Sequence, residues 1–229
     1  VKIAVIPARG GSKRIPRKNI RPFLGKPIIT YSIRAAHETG LFDHVLVSTD
    51  DEEIASVARA AGAETPFLRP ADLSDDQTGT LPVIHHAAEW MASQGRAADH
   101  VCCIYATAPF VTADALHDGY ERLQAAQADF ALAVTPFPFP IQRALRITEA
   151  GLLQPVDMKA ITMRSQDLEE AWHDAGQFFW AKPSCLSENI ASLLSRAVPV
   201  PLPPHRVQDI DTPDDWQRAE LMFRALSEN

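Results

Sequence analysis

Ile3-Ala-Val-Ile6 runs almost directly into A-R-G-G-S-K-R-I-P-R-K-N, Ala8 to Asn19. Four apolar residues without alternation describe a strand covered on both faces, as in a parallel sheet. The segment after it holds Arg9, Lys13, Arg14, Arg17 and Lys18, with Arg21 and Lys26 just beyond, in a chain of formal net charge −7. Gly10 and Gly11, flanked by Ser12 and Asn19, allow backbone N–H groups to turn toward an anion while the cations supply charge. Such a loop at the carboxyl end of a first strand suits a polyphosphate; on charge alone it could also be a solvated basic surface. It lacks the third glycine of a dinucleotide fingerprint and the Gly-Lys-Ser/Thr ending of a P-loop, which sets aside NAD binding and Walker-type hydrolysis. The cations exceed what two phosphates need, so a triphosphate is expected, with Arg9 and Lys18 as leading contacts.

The rest of the chain alternates around this start. A helix opened by Pro27 and stopped by Gly40 carries Ile28, Ile29, Tyr31, Ile33 and Ala36 inward. A strand is expected at 45–47, then a helix capped by Ser48-Thr-Asp-Asp51 with Ile54, Val57, Ala58 and Ala61 on one stripe. Further expectations are a short strand at 64–68, helices over 81–93 and 112–126, and buried strands at 101–105 and 130–134. Strand–helix alternation of this kind is the signature of an α/β, Rossmann-like, mostly parallel sheet in a single domain over 1–229. The three prolines of Thr135-Pro-Phe-Pro-Phe-Pro140 break it, and 141–172 reads as an excursion with strand-like pieces at 144–147 and 160–163. Strand character returns at 178–180, a short helix is expected at 183–189, and a strand-like piece at 207–210 precedes a final helix capped by Thr212 with Pro213 in its first turn.

Composition narrows the class. With 46% apolar and 22% charged residues the chain is ordinary for a globular protein, and its acidic balance argues against a nucleic-acid partner. No apolar run is long enough to span a bilayer and no signal-peptide pattern opens the chain, so no membrane association is expected. Cys102, Cys103 and Cys185 show no metal-ligand spacing and read as core thiols of a reducing, cytoplasmic compartment.

Asp209-Ile-Asp211 is the second candidate for chemistry. On extended chain both carboxylates share a face and could converge on a hard cation such as Mg²⁺, while Ile210 points to the core. Alternatively Asp209 joins a turn and Asp211 helps to cap the last helix. Asp50 and Asp51 read as helix-capping carboxylates. Arg69 and Thr80 flank a polar loop and could reach a base or ribose, or lie on the surface. Ser184 and Cys185 have no base partner in sequence, and no His or Cys spacing suggests zinc.

These residues carry a resemblance. A-R-G-G-S-K-R-I-P-R-K-N with F-L-G-K-P-I, V-S-T-D-D-E-E-I-A, F-L-R-P-A-D-L-S-D-D, A-T-A-P-F and D-I-D-T-P-D-D-W resemble the nonulosonic acid cytidylyltransferases, the CMP-sialic acid synthetase family, over nearly the whole chain. A-T-A-P-F and D-A-G-Q-F-F-W are most similar to the pseudaminic acid branch; Tyr105 stands where the sialic acid branch has a sugar-contacting glutamine. The resemblance implies a fold of the nucleotide-diphospho-sugar transferase type and Mg²⁺-dependent transfer of CMP from CTP to the anomeric hydroxyl of a nonulosonic acid. Pseudaminic acid is the first choice, with N-acetylneuraminic or legionaminic acid as alternatives. It implies Ala8, Arg9, Gly10, Gly11, Ser12, Lys13 and Lys18 around the triphosphate, and Asn19, Arg69 and Thr80 at cytosine and ribose. Asp209 and Asp211 would hold the metal; Arg9, Lys18 and Asp211 would serve catalysis. Tyr105, Arg143, Arg164, Gln177 and Phe179 would face the sugar, with the two arginines toward its carboxylate. Residues 136–172 would form an arm that makes a homodimer and completes the partner's sugar site. A glycosyltransferase using D-x-D, or a non-catalytic nucleotide-binding module, are the competing classes; pyrophosphate release from CTP distinguishes both.

Overall fold

The computed structural model of the chain describes residues 1–227. Its first half runs β1 (Lys2–Pro7), a two-residue ribbon of β2 (Pro22–Phe23) and β3 (Lys26–Pro27), α1 (Ile29–Thr39), β4 (His44–Ser48), α2 (Glu52–Ala60), α3 (Thr80–Ser93) and β5 (His100–Ile104). The second half runs α4 (Ala113–Ala125), β6 (Phe130–Pro136), β7 (Leu145–Ile147), β8 (Leu153–Pro155), β9 (Trp172–Ala181), α5 (Ile190–Leu194), β10 (Val198–Pro201) and α6 (Pro213–Ser227).

Six strands make one sheet in the order β10-β6-β9-β5-β1-β4. β1 pairs in parallel with β4 and β5, and β10 with β6; β9 alone runs antiparallel, between β5 and β6. The expected α/β, mostly parallel sheet is therefore the observed one. Ile3, Ala4, Val5 and Ile6 are all fully buried, which is what a strand with helices on both sides requires. Two apolar layers flank the sheet. Ala4, Ile6, Ile33, Val47, Phe178 and Trp180 meet α1, α2 and α4 on one side; Ile3, Val5, Ile84, Met91, Cys103 and Phe179 meet α3 on the other. Gly40 closes α1 at φ 62°, a conformation glycine adopts without steric cost.

Several local expectations give way. Residues 64–68 form only isolated bridges, Leu46 to Glu64 and Thr49 to Leu68, because Pro66 has no N–H to continue a ladder. β6 continues through Pro136, opposite Trp172, so the first proline of the run extends the strand at its protruding end. Residues 160–162 are a 3₁₀ turn rather than a strand, and the hairpin partner of β7 is β8. The segment 183–189 holds only a 3₁₀ turn, and the helix follows at α5. Val198–Pro201 is an edge strand, where prolines are tolerated, and 207–210 is extended without pairing. No helix among the described residues is long and apolar enough to cross a membrane.

Candidate active site

At the carboxyl ends of β1 and β5 a cleft of about 480 Å³ opens, where ligands gather in sheets of this topology. Arg9, Ser12, Lys13, Arg14, Lys18 and Asn19 line it from the glycine loop; Arg69, Asp76, Thr80, Tyr105 and Asp211 close it from four other segments. Ala8 is buried and its N–H donates to the Ser48 carbonyl, which ties the loop to the end of β4 at 2.9 Å. Gly10 is required for close approach, since a Cβ there would lie 2.7 Å from Asp51 Oδ2. Its N–H donates to Asp50 Oδ1 at 2.9 Å, so it is turned away from the cleft. Gly11 has open space around it.

The cations of the loop are held by carboxylates. Arg9 and Lys13 both pair with Asp76, and Arg9 also donates to the Asp75 carbonyl at 3.2 Å. Lys13 and Arg9 together hold the Asp76 carboxyl below its ordinary pKa. Across the cleft, Arg14 and Lys18 reach Asp211 at 3.2 and 3.4 Å, and Lys18 Nζ donates to the Ile210 carbonyl at 2.7 Å. Asn19 is 7% exposed, and its Nδ2 donates to the Arg9 carbonyl at 2.9 Å. The loop and the segment before α6, separated by nearly two hundred residues, thus form opposite walls of one site.

Arg69 differs from these cations. Its N–H donates to the Thr49 carbonyl, which fixes it beside β4, and the residue is 7% exposed. Nε and Nη2 are buried, and neither finds a hydrogen-bond partner among the described residues. The nearest carboxylate is Asp50, 3.8 Å from Nη2. Burial lowers the pKa of this guanidinium; Asp50 opposes the shift and Arg9 adds to it. A buried guanidinium with unmet donors is costly unless a ligand supplies acceptors.

A second, larger cleft of about 680 Å³ adjoins the first through Gly79, Thr80 and Tyr105, which line both. Its walls include Leu132, Val134, Trp172 and Phe179, with His85, His173, Asp174 and Glu188 as polar groups. Burial raises the Tyr105 phenol pKa, with Cys103 and Asp174 adding to the shift.

The residues expected at the sugar divide. Tyr105 and Phe179 line the second cleft, but Gln177, Arg143 and Arg164 line neither. Gln177 is buried; its side chain donates to the Arg206 carbonyl, and its own carbonyl accepts from Tyr105 N at 2.9 Å, so it braces the segment that carries Tyr105. Arg143 donates to Ser165 and to the Met163 carbonyl within 136–172, and Arg164 is engaged by Asp167 at 2.8 Å. Asp211 faces the first cleft and Asp209 does not line it. The surrounding protein and the Asp211 charge nevertheless raise the Asp209 carboxyl pKa, so the two carboxylates sense each other. Ile210 between them is fully buried. The chemistry of this donor set, hard carboxylate oxygens with Asp211 open to the cleft, fits Mg²⁺, which keeps waters and takes few protein ligands. Among the described residues no group of three or more His, Cys, Asp or Glu side chains forms a ready-made cage.

Asp76, Asp174 and Trp172 join the site without having been singled out by residue type. Asp76 sits in an Asp- and Ser-rich loop whose sequence gives no periodicity, and its contacts are to residues more than sixty positions away.

Comparison with known proteins places the chain in a family. The family model described as cytidylyltransferase matches residues 3–198. The chain is 44% identical over 227 residues to the pseudaminic acid cytidylyltransferase of Campylobacter jejuni serotype O:2, covering 99% of this chain and 98% of that one. It is 29% identical over 233 residues to the CMP-N,N'-diacetyllegionaminic acid synthase of Legionella pneumophila, covering 99% and 97%. The solved structure of CMP-2-keto-3-deoxy-manno-octonic acid synthetase with CTP superposes at TM-score 0.72 and 16% identity, covering 98% and 99%, which is a likeness of fold. A basic glycine loop facing Asp211 across one cleft, in a chain that matches the family's model over most of its length, makes this protein a member of the cytidylyltransferase family, CTP-using nucleotidyltransferases.

Proposed function

We propose that the protein transfers CMP from CTP to the anomeric hydroxyl of a nonulosonic acid, pseudaminic acid in the first place, with release of pyrophosphate. The observation that carries the nucleotide half is Arg69, a buried guanidinium in the wall of the first cleft whose Nε and Nη2 find no hydrogen-bond partner among the described residues. Cytosine and ribose oxygens supply such acceptors, beside Asn19 and Thr80. Arg9, Ser12, Lys13 and Lys18 meet the triphosphate, whose oxygens replace the carboxylate of Asp76 on two of these cations.

The adjoining cleft takes the sugar. Tyr105 and Thr80, common to both, mark where the anomeric hydroxyl meets the α-phosphorus. The hydroxyl gives up its proton to solvent and attacks the α-phosphorus in line, the P–O bond to the β-phosphate breaks, and the leaving pyrophosphate is retained by the loop cations. Positioning and charge neutralisation dominate such a displacement. Asp209 and Asp211 would hold Mg²⁺, which supplies Lewis-acid polarisation of phosphate oxygens when bound.

The identity of the sugar rests on the 44% identical relative and on Tyr105 in place of glutamine. The second cleft is apolar on several walls and is lined by no Lys or Arg of this chain among the described residues. The substrate's carboxylate therefore calls for a cation from elsewhere. Residues 139–163 expose Phe139 at 79%, Ile147 at 75% and Leu153 at 68%, an apolar display that supports a homodimer built on this arm. Arg143 and Arg164 lie on the same arm and would then serve the partner's sugar site.

Incubation with CTP, Mg²⁺ and pseudaminic, legionaminic or N-acetylneuraminic acid in turn tests the reading. Pyrophosphate release is expected fastest with pseudaminic acid. No release with any of the three would overturn the reaction; equal rates would overturn the choice of sugar.

A further inference from the structure

The two carboxylates at the end of β4 carry a role that capping does not account for. Asp51 is the N-cap of α2, its Oδ1 accepting from Glu53 N and Ile54 N at 3.0 Å each. The same carboxylate receives Arg17 in a forked pair, Nη1 to Oδ2 at 2.6 Å and Nη2 to Oδ1 at 3.1 Å. Arg17 has φ 54° and ψ 32°, left-handed geometry rarely adopted outside glycine. Its carbonyl accepts from Ile20 N and Arg21 N, which turns the chain so that the next two side chains, Lys18 and Asn19, line the nucleotide cleft. Arg17 itself does not line that cleft; it points to α2.

Asp50 is not the cap. Its Oδ1 accepts from Gly10 N, and it is the carboxylate nearest to the otherwise unpaired Arg69. Gly10 in turn rests against the Asp51 side chain so closely that no larger residue fits. One strand end therefore grips the glycine loop at both of its limbs and counter-charges the buried arginine.

We propose that Asp50 and Asp51 are positioning residues of the CTP site, acting through Gly10 and Arg69 in the one case and through Arg17 to Lys18 and Asn19 in the other. This inference rests on the nucleotide-site reading above. Neither carboxylate touches CTP; together they set the distance between the triphosphate loop and Arg69. Loss of Asp50 leaves Arg69 a buried cation without a counter-charge and frees Gly10 N–H. Loss of the Asp51 charge breaks the forked pair with Arg17 and leaves Glu53 as its side-chain partner among the described residues.

Asparagine separates this role from capping, because Asn caps a helix about as well as Asp. CTP affinity is measured by calorimetry in Asp50→Asn, Asp51→Asn and Arg17→Gly, with steady-state KM and kcat and thermal melting alongside. Glycine at 17 tolerates the left-handed backbone while removing the clamp. The expected result is a loss of CTP affinity of roughly tenfold or more in Asp50→Asn and roughly three- to tenfold in Asp51→Asn and Arg17→Gly. These losses appear in KM for CTP more than in kcat. The double variant of Arg17→Gly and Asp51→Asn loses no more than either alone, as expected for partners in one interaction. Wild-type affinity in all three single variants, or lowered melting temperature without loss of CTP affinity, overturns the proposal. Wild-type protein that binds no CTP overturns the nucleotide-site reading instead, and the two failures are told apart by that control.

Discussion

Arg9 and Asp76 face each other in the wall of the first cleft as an ion pair, and Lys13 joins the same carboxylate. Asp76 thereby stands on two of the cations proposed to hold the triphosphate. An incoming triphosphate must exchange one anion for another.

Asp76→Asn is therefore expected to lower KM for CTP. The pair is exposed, so the gain is at most about fivefold. Initial rates against CTP at fixed sugar measure it. A higher KM would mean that Asp76 shapes the cradle rather than competing with its ligand.

Tyr105 belongs to both clefts, and its phenol stays protonated at all working pH values because burial raises its pKa. It can donate a hydrogen bond but does not serve as an anion. Tyr105→Phe should raise KM for the sugar acid about three- to tenfold, the cost of one unmet hydrogen bond, and change KM for CTP less. Equal effects on both substrates would remove Tyr105 from the sugar's recognition.

Asp211→Ala, assayed at saturating Mg²⁺, is expected to lose roughly a hundredfold or more in kcat. Chelation of wild-type enzyme should abolish turnover and added Mg²⁺ restore it. Near-wild-type kcat in the variant would sink the metal role of the pair.

Asp51 provides a pH test with a defined sign. Its folded pKa lies below the ordinary aspartate value of about 3.9, chiefly through Arg17. The stability contributed is thus complete above about pH 4 and lost as pH falls through the lower folded value. The melting temperature of Asp51→Asn should lie a few degrees below wild type near pH 6, about 2–4 °C for a loss near 1 kcal/mol, and the gap should narrow as pH falls below about 4. A gap that widens on acidification would contradict the Arg17 pairing.

The arm offers the last test. Ile147→Glu with Leu153→Glu places charge on two exposed apolar positions of 136–172 and should convert a dimer to a folded monomer by light scattering. CTP binding should persist while sugar KM rises. A wild-type monomer would remove the proposed partner contribution.

Sequence alone determined the layout, because it is written in local physics. The unbroken apolar run Ile3–Ile6, the capping of α2 by Asp51 and of α4 by Thr112, and the positive φ at Gly40 are decided within a few residues. The loop at 8–19 and the Asp209/Asp211 pair were legible because charge and glycine concentrate in short stretches. Proline misled at the end of β6, since Pro136 lies where the strand tolerates a missing N–H, and that depends on position in the sheet. Pairing across the sheet decided the rest. Only the tertiary structure could put Lys18 against Ile210 and Asp211, bring Asp76 onto Arg9, and leave Arg69 buried with unmet donors. Those contacts span dozens to nearly two hundred residues, and no local preference encodes them. Only the tertiary structure separated Asp50 from Asp51, one holding the loop and the other capping a helix while clamping Arg17, because adjacent side chains on extended backbone point opposite ways.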